Sequence, residues 1–201
     1  MKILQAELYD QAFTPEQIPH TDQLQIAVFG RSNVGKSSLL AAMMRRRKLV
    51  KVSSTPGKTR GIFFYIVNGR FLLVDLPGYG FSKAPKVMAD KWRSLVEAYL
   101  DSETGPSLAL QLIDIRHPPT KDDLEVGRIL SEREIPVIVV ATKADKLSRA
   151  RRTQSLPVIA RDLGVPGPGI IPVSVKDPSI PVAAVWDAIL AKISSEGEET
   201  R

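Results

Sequence analysis

The stretch that most constrains the fold is Gly30-Arg31-Ser32-Asn33-Val34-Gly35-Lys36-Ser37, which follows the pattern G-x-x-x-x-G-K-[ST]. It comes after an apolar run, Leu24 to Phe29, and opens a helix-forming segment from Ser38 to Arg47. In a turn between a strand and a helix, backbone N–H groups can wrap phosphate oxygens, and the helix N-terminus adds partial positive charge. We therefore predict a nucleotide-binding loop that includes Ser38, in which Lys36 reaches the β- and γ-phosphates and the Ser37 hydroxyl ligates Mg²⁺.

Composition limits the class of protein. The chain has 201 residues, of which 43% are hydrophobic and 25% charged, as expected for one globular domain. No apolar run is long enough to span a membrane, and the first residues lack the apolar core of a signal peptide. The absence of cysteine excludes disulfides and thiolate zinc sites and fits a cytoplasmic location. The net charge of +6 indicates either an anionic partner, nucleic acid or membrane headgroups, or only a soluble surface.

The hydrophobic pattern predicts an α/β fold, in which helices cover both faces of a mostly parallel sheet with one antiparallel strand. Asn68-Gly69 separates two β-rich runs and is a hairpin signal, so these runs should pair antiparallel. We expect a single domain over residues 24–193. An extended lead-in, residues 1–23, should contribute an edge strand, and a Glu-rich tail, residues 194–201, should be disordered. Pro157 should kink or divide the helix predicted over Ser148–Leu163.

The predicted elements fall in this order. Strands are predicted at Leu24–Phe29, Ile62–Val67, Phe71–Val74, Leu108–Ile113, Pro136–Ala141 and Ile170–Val173. Helices are predicted at Ser38–Arg47, Met88–Leu100, Thr120–Arg133, Ser148–Leu163 and Pro181–Ile193.

Three polar segments follow predicted strands. In Asp75-Leu76-Pro77-Gly78, the carboxylate can hold Mg²⁺, usually through water, and the Gly78 N–H can approach a γ-phosphate. In Thr142-Lys143-Ala144-Asp145, the carboxylate can accept two hydrogen bonds from guanine, a donor pair that adenine lacks, and the Lys143 stem can lie over the base. Ser174-Val175-Lys176 follows the last strand and, with Val173 at the end of that strand, is placed for backbone contact with the base carbonyl.

With these segments in order, the chain resembles the EngB/YihA (YsxC) family of bacterial ribosome-assembly GTPases, within the translation-factor-related P-loop GTPases. The resemblance covers about residues 24–176 and is most specific in the runs Asp75-Leu76-Pro77-Gly78-Tyr79-Gly80-Phe81-Ser82-Lys83 and Asp114-Ile115-Arg116-His117-Pro118-Pro119. Thr142 replaces the asparagine commoner in GTPases at large, and Val175 stands where a second serine is usual.

The resemblance implies a molecular switch that binds GTP or GDP with Mg²⁺ and hydrolyses GTP. It also implies a role in assembly of the large ribosomal subunit, with a link to septum formation in cell division. Thr59 would bind Mg²⁺ and the γ-phosphate in the GTP state, surrounded by Gly57, Lys58, Arg60 and Gly61. The expected partners are a guanine nucleotide and the large ribosomal subunit, with no membrane contact, and the expected oligomeric state is a monomer.

The expected reaction is in-line attack of water on the γ-phosphate. Lys36, Thr59 and the Gly78 N–H would stabilise the charge that develops. Tyr79 stands where a glutamine or histidine would orient the water, so intrinsic hydrolysis should be slow. Either a partner protein or a monovalent cation such as K⁺, held near Asn33, could complete the site, and Asn33 could equally serve only to stabilise the loop.

Two other classes of function stay open. One is a GTP-gated docking scaffold whose slow hydrolysis only resets it. The other is a small-molecule phosphotransferase of the P-loop type, against which the guanine segment argues.

Two loops and two basic clusters carry further predictions. The loops Val52–Arg60 and Tyr79–Lys86 have few apolar anchors, so a γ-phosphate should order them. The clusters are Arg45, Arg46, Arg47, Lys48 and Lys51 after the first helix, and Arg149, Arg151 and Arg152 at the start of a later one. Each is either a solvated helix end or a contact for RNA phosphates, and the sequence alone favours the solvated end for the first cluster.

Overall fold

The computed structural model describes residues 1–46, 49–50, 61–80, 86–166 and 169–199. The strands are β1 (Ala6–Ala12), β2 (Leu24–Gly30), β3 (Ile62–Val67), β4 (Phe71–Asp75), β5 (Leu108–Asp114), β6 (Val137–Thr142) and β7 (Ile170–Pro172). The helices are α1 (Lys36–Met43), α2 (Lys86–Leu100), α3 (Lys121–Glu132), α4 (Arg149–Leu163) and α5 (Ala183–Glu199). Short 3-10 turns lie at Pro15–Gln17 and Ala144–Lys146.

The strands form one sheet in the order β1-β3-β4-β2-β5-β6-β7. Strand β3 runs antiparallel to both of its neighbours, and the other neighbouring strands pair parallel. This confirms the predicted mostly parallel sheet with one antiparallel strand. Asn68 and Gly69 join β3 to β4 with φ angles of 52° and 63°, the positive values that a tight two-residue hairpin turn requires. The predicted edge strand is β1, which pairs with β3.

Helices pack on both faces of the sheet. Helices α1 and α5 share one apolar core with the sheet, whereas α2, α3 and α4 pack on the opposite face. Trp186 of α5 ties the first layer together, because its ring lies 5.7 Å from the Phe71 ring and its indole N–H donates to the Met43 carbonyl oxygen at 3.1 Å. None of the helices in the described part of the chain combines the length and the apolar character needed to cross a membrane.

Helix α4 is continuous from Arg149 to Leu163, so the division predicted at Pro157 does not occur. The hydroxyl oxygen of Ser148 caps the first turn by accepting the Arg151 N–H at 3.3 Å, and Gly164 ends the helix in the left-handed conformation. Because both ends are capped and Pro157 lies on the exposed side, the fold tolerates the hydrogen bond that proline cannot donate.

The ends of two other helices also differ from the predictions. Helix α1 ends at Met43 instead of Arg47, and Arg45 has a positive φ of 52° that no longer fits a helix. Helix α5 extends to Glu199, through most of the tail for which the sequence predicts disorder. The glutamates in this tail are good helix formers, so the helix can continue beyond its apolar contacts.

Candidate nucleotide-binding site

The predicted site segments come together at one edge of the sheet. Strands β2, β4, β5 and β6 are parallel, so their carboxyl ends meet there. These ends are Gly30, Asp75, Asp114 and Thr142, each followed by a loop. In open parallel sheets, ligands bind in the crevice beyond the carboxyl ends of the strands, and β2 lies at the centre of this one.

Two glycines shape the loop between β2 and α1. A Cβ on Gly30 would come within 2.7 Å of Val34 Cγ1 and 3.1 Å of Leu112 Cβ, so only glycine lets the loop turn this closely over β5. Gly35 has a φ of 104°, which side chains rarely adopt, and precedes the first residue of α1. The loop therefore has the close turn and the helix N-terminus that phosphate binding requires.

Lys36 begins α1 and is 9% exposed. Its ammonium group donates to the Asp75 carboxylate and, at 2.5 Å, to the Leu76 carbonyl oxygen. Lysine carries three donors, so these contacts leave one for another oxygen. For Lys36 to bind phosphate with more than that one donor, it must exchange the oxygens of Asp75 or Leu76 for those of the phosphate.

The Pro77-Gly78-Tyr79 segment after β4 lies against the same loop. The Ser32 N–H donates to the Tyr79 carbonyl oxygen at 3.0 Å, and the Tyr79 N–H donates to the Gly30 carbonyl oxygen at 3.3 Å. A Cβ on Gly78 would lie 3.3 Å from the Ser32 nitrogen, so the two backbones are in close contact there. The start of the loop predicted at Tyr79–Lys86, here called the second switch, is therefore joined to the phosphate-binding loop by main-chain hydrogen bonds.

The Tyr79 side chain turns away from this loop and into the protein. Its hydroxyl donates to Asp123 Oδ1 at 2.8 Å, and the Asp123 Oδ2 atom accepts the N–H and the hydroxyl of Thr120 at the start of α3. Burial, and then the charge of Asp123, raises the pKa of Tyr79 well above its usual range, so the hydroxyl stays a neutral donor. Tyr79 thus links the second switch to α3 and does not point toward a water at the γ-phosphate.

Thr142 binds the phosphate-binding loop from the end of β6. Its buried hydroxyl lies 2.7 Å from the Val34 carbonyl oxygen and 3.1 Å from that of Ile113. A hydroxyl has one proton, so it donates to these two oxygens in turn or shares the proton between them. The short threonine side chain therefore connects β6, β5 and the loop.

Lys143 extends this connection. It has a φ of 59°, and its ammonium group donates to the Asn33 carbonyl oxygen at 2.6 Å and to Asp114 Oδ2 at 2.9 Å. Its Cε lies 4.0 Å from the position of a Cβ on Gly35, so the stem crosses the loop. Burial alone would raise the pKa of Asp114, but hydrogen bonds from Arg116 and Lys143 outweigh it and lower that pKa well below its usual range.

The phosphate-binding loop and the charged residues Asp114, Arg116 and Lys143 line a cavity of about 180 Å³. The wall is formed by the outer residues of the phosphate-binding loop and by the loop after β5. The lining residues are Arg31, Ser32, Asn33, Val34, Leu112, Ile113, Asp114, Arg116, His117, Pro118, Asp123 and Lys143. The cavity belongs to the same site.

Asp145 and Ser174 meet where the guanine base is predicted to bind. The Ser174 hydroxyl donates to Asp145 Oδ1 at 2.8 Å, and its oxygen accepts the N–H groups of Lys176 and Asp177, both at 3.0 Å. The Ala144 N–H donates to the Val173 carbonyl oxygen at 3.1 Å, which fixes the two loops side by side. One carboxylate oxygen of Asp145 is therefore positioned by Ser174.

The structure does not bring every predicted site residue together at this edge of the sheet. Gly57, Lys58, Thr59 and Arg60 lie outside the described residues, as do most of both predicted switch loops. Gly61 lies just before β3 and packs against Ala12 and Phe13 of the lead-in. Val175 is 48% exposed beside Ser174.

Sequence reasoning assigned no role to Asp114, Arg116 or Asp123. Asp114 could have been found, because an acidic residue at the end of a buried parallel strand lies at the same edge as the other segments. Asp123 carries no such signal, since it reaches Tyr79 across 44 positions of the sequence.

Known proteins share this arrangement. Residues 25–143 match the family described as 50S ribosome-binding GTPase. Over 162 residues the chain is 46% identical to a probable GTP-binding protein EngB of Geobacillus thermodenitrificans, a match that covers 81% of this chain and 83% of the relative.

Two solved structures are also similar. A crystal structure of a probable GTP-binding protein EngB has a TM-score of 0.69 at 26% identity, covering 85% of this chain and 99% of that one. Era in complex with MgGDPNP and nucleotides 1506–1542 of 16S ribosomal RNA has a TM-score of 0.60 at 25% identity, covering 86% of this chain and 57% of Era.

A phosphate-binding loop, an aspartate at the end of the neighbouring strand and a base-binding pair of loops on one parallel sheet define a P-loop GTPase. With the family match and the identity to its relatives, the chain belongs to the EngB family of GTP-binding proteins. It therefore binds guanine nucleotide and hydrolyses GTP.

Proposed function

We propose that this GTPase is a switch that assists assembly of the large ribosomal subunit and docks on it in the GTP state. The observation that carries the proposal is the match of residues 25–143 to a family described by its binding to the 50S subunit. The net charge of +6 supports an RNA-rich partner, and the similar fold of Era binds ribosomal RNA. The link to septum formation and the cytoplasmic location rest on the sequence alone and stay predictions.

The base and the phosphates would be held by separate groups at the same edge of the sheet. Asp145 would accept two hydrogen bonds from guanine, with Ser174 holding one of its oxygens in place. The stem of Lys143 would lie over the base, and the backbone at Val175 would contact the base carbonyl. The N–H groups of residues 30–38 and Lys36 would bind the phosphates.

Mg²⁺ fits the oxygen atoms at the start of α1. The half-buried Ser37 hydroxyl makes no hydrogen bond to a described residue, so it is available as a ligand, and Asp75 lies at the neighbouring strand end. Thr59 would supply the second hydroxyl in the GTP state. When bound, Mg²⁺ would neutralise charge on the β- and γ-phosphates.

For hydrolysis, Lys36 and the Gly78 N–H would face the charge that develops on the γ-phosphate. Tyr79 is occupied by Asp123, so no side chain at that position orients the attacking water. We therefore propose that intrinsic hydrolysis is slow, and that a ribosomal partner or K⁺ near Asn33 completes the catalytic site. Asn33 has a φ of 63°, and its carbonyl accepts from Lys143, which equally fits a role in stabilising the loop.

Co-sedimentation with purified ribosomal subunits tests the proposal. With a slowly hydrolysed GTP analogue, the protein should sediment with large subunits and not with small ones, and GDP should release it. Large subunits should also accelerate hydrolysis in a single turnover. If the analogue drives docking but hydrolysis keeps its intrinsic rate, the protein is the GTP-gated scaffold instead. Absence of binding in both nucleotide states would overturn the ribosomal partner.

A further inference from the structure

Four arginines in the described part of the chain are neutralised by a carboxylate. Arg116 pairs with Asp114, Arg133 with Asp101 and Arg161 with Asp162, each with a shortest N···O distance of 2.7 Å. Arg128 pairs with both Glu125 and Glu132 on α3. These pairs neutralise four of the 28 basic residues within the protein itself.

The first turn of α4 is different. Arg149 and Arg151 are exposed and Arg152 is half-buried, and none of their side chains forms an ion pair or hydrogen bond with a described residue. The first turn contains no acidic residue. Hydrogen bonds from Ser179, and then the charge of Arg152, lower the pKa of Asp177, so this carboxylate interacts with Arg152 at a distance without forming an ion pair with it.

This arrangement opposes the stability of the helix. A helix N-terminus carries partial positive charge, so basic side chains in the first turn are unfavourable there and acidic ones are favoured. Arg149 and Arg152 also lie three positions apart, on neighbouring points of the helix surface, where like charges repel. The helix itself therefore gives no reason for the three arginines, whereas an anionic partner would relieve both effects.

The surface adjoins the base-binding loop. Asp145 lies in the 3-10 turn Ala144–Lys146, and Ser148, the cap of α4, follows two residues after that turn. Lys146 lies between the two, with its ammonium group 3.7 Å from Asp145 Oδ2, so its charge is balanced within the protein. A partner that binds here would contact the protein next to the guanine nucleotide.

We propose that Arg149, Arg151 and Arg152, together called the α4 basic surface, bind the phosphate backbone of ribosomal RNA. Guanidinium groups suit phosphate because they can donate two parallel hydrogen bonds to it. A membrane surface fits less well, because no large apolar side chain is exposed on the described part of α4 to enter the lipid. The proposal rests on the ribosomal partner proposed above and names the surface that meets it.

A pair of triple variants tests this surface. The first is Arg149→Gln, Arg151→Gln and Arg152→Gln. The control is Arg128→Gln, Arg133→Gln and Arg161→Gln, which removes the same number of positive charges from ion-paired sites. Both are compared with wild type for co-sedimentation with large subunits over a salt series, with the slowly hydrolysed GTP analogue, and for unfolding in urea.

The α4 variant should lose affinity for the large subunit, and the slope of log affinity against log salt should fall by about three, roughly one for each phosphate contact. Its urea midpoint should stay equal or rise, and its GTP affinity should not change. The control should bind like wild type with a lower urea midpoint. Equal loss of binding in both variants would show that only net charge matters and would contradict a specific role for the α4 basic surface. Binding of the α4 variant with the affinity of wild type would contradict the proposal that this surface binds RNA. Failure of wild type itself to bind would overturn the ribosomal partner, and the surface with it.

Discussion

Replacing Tyr79 by phenylalanine removes one oxygen atom from a buried contact and changes little else. The side chain is 7% exposed, and its hydroxyl donates to the Asp123 carboxylate at 2.8 Å. Hydrogen bonds to charged groups contribute about 1.5–3 kcal/mol, and the loss leaves a buried carboxylate oxygen without this donor. We expect Tyr79→Phe to lower the free energy of unfolding by about that amount.

Tyr99 provides a matched control for this change. Its ring is also buried, but its hydroxyl has no hydrogen-bond partner among the described residues. Tyr99→Phe removes a buried polar atom that contributes no hydrogen bond, so it should leave stability unchanged or raise it. Urea unfolding with equal m-values for wild type and both variants compares the two free energies directly. Equal effects of the two substitutions would refute the argument that the Asp123 contact matters.

Tyr79→Phe should also slow GTP hydrolysis without weakening GDP binding. The Tyr79 backbone holds Gly78 against Ser32 and Gly30, and the hydroxyl fixes that backbone to α3. A looser Gly78 should slow hydrolysis, because its N–H is proposed to face the γ-phosphate, which GDP lacks. We expect a lower single-turnover rate in Tyr79→Phe, with GDP affinity close to that of wild type, because GDP lacks the phosphate that the Gly78 N–H would face. A parallel loss of GDP affinity would indicate general disruption of the site.

Three further outcomes are expected. Thr142→Val removes the donor to Val34 and should weaken GTP and GDP alike by about 1–3 kcal/mol in a binding titration, while Thr142→Ser keeps most of the affinity. Asp145→Asn should shift base preference from guanine to xanthine, and full GTP preference in a competition assay would contradict the assigned role. Alkaline pH should also lower stability, because burial raises the pKa of Tyr79 and Tyr99 above the value of about 10 that tyrosine has in the unfolded chain. Below about pH 10 both states hold the proton, and the stabilisation is fully present. This contribution is lost as pH rises further, by about 1.4 kcal/mol per unit for each group, and the decline measured by urea unfolding should be shallower in Tyr99→Phe.

The sequence predicts the features that depend on neighbouring residues. The Asn68-Gly69 turn needs only its own backbone angles, and the strand–loop–helix pattern around Gly35 places the phosphate-binding loop. Because parallel strands end at one edge, the positions of Asp75 and Asp145 after predicted strands also indicate that both lie at that edge. The fold class and the kind of nucleotide could therefore be predicted.

Features that depend on distant partners could not be predicted in the same way. Tyr79 meets Asp123 across 44 positions, and either residue alone resembles an ordinary loop or helix-cap residue. The Lys36–Asp75 ion pair also needs the sheet, because it joins the start of α1 to the end of β4. Pro157 shows the reverse case, since a strong local signal for a break does not divide α4, which runs from the cap at Ser148 to Gly164.

The contacts of Thr142 and Lys143 join the proposed base site to the proposed phosphate site, so that a movement of one would move the other. Both residues donate to carbonyl oxygens of the phosphate-binding loop, at Val34 and Asn33, from a segment that also carries Asp145. Displacing that segment would therefore move the loop that binds phosphate. Altering the carboxylate of Asp145 would change the hydrogen bonds offered to the base and the one accepted from Ser174, but no hydrogen bond to that loop. Thr142→Val should accordingly lower affinity for every nucleotide, while Asp145→Asn should change which base is preferred and leave phosphate binding intact.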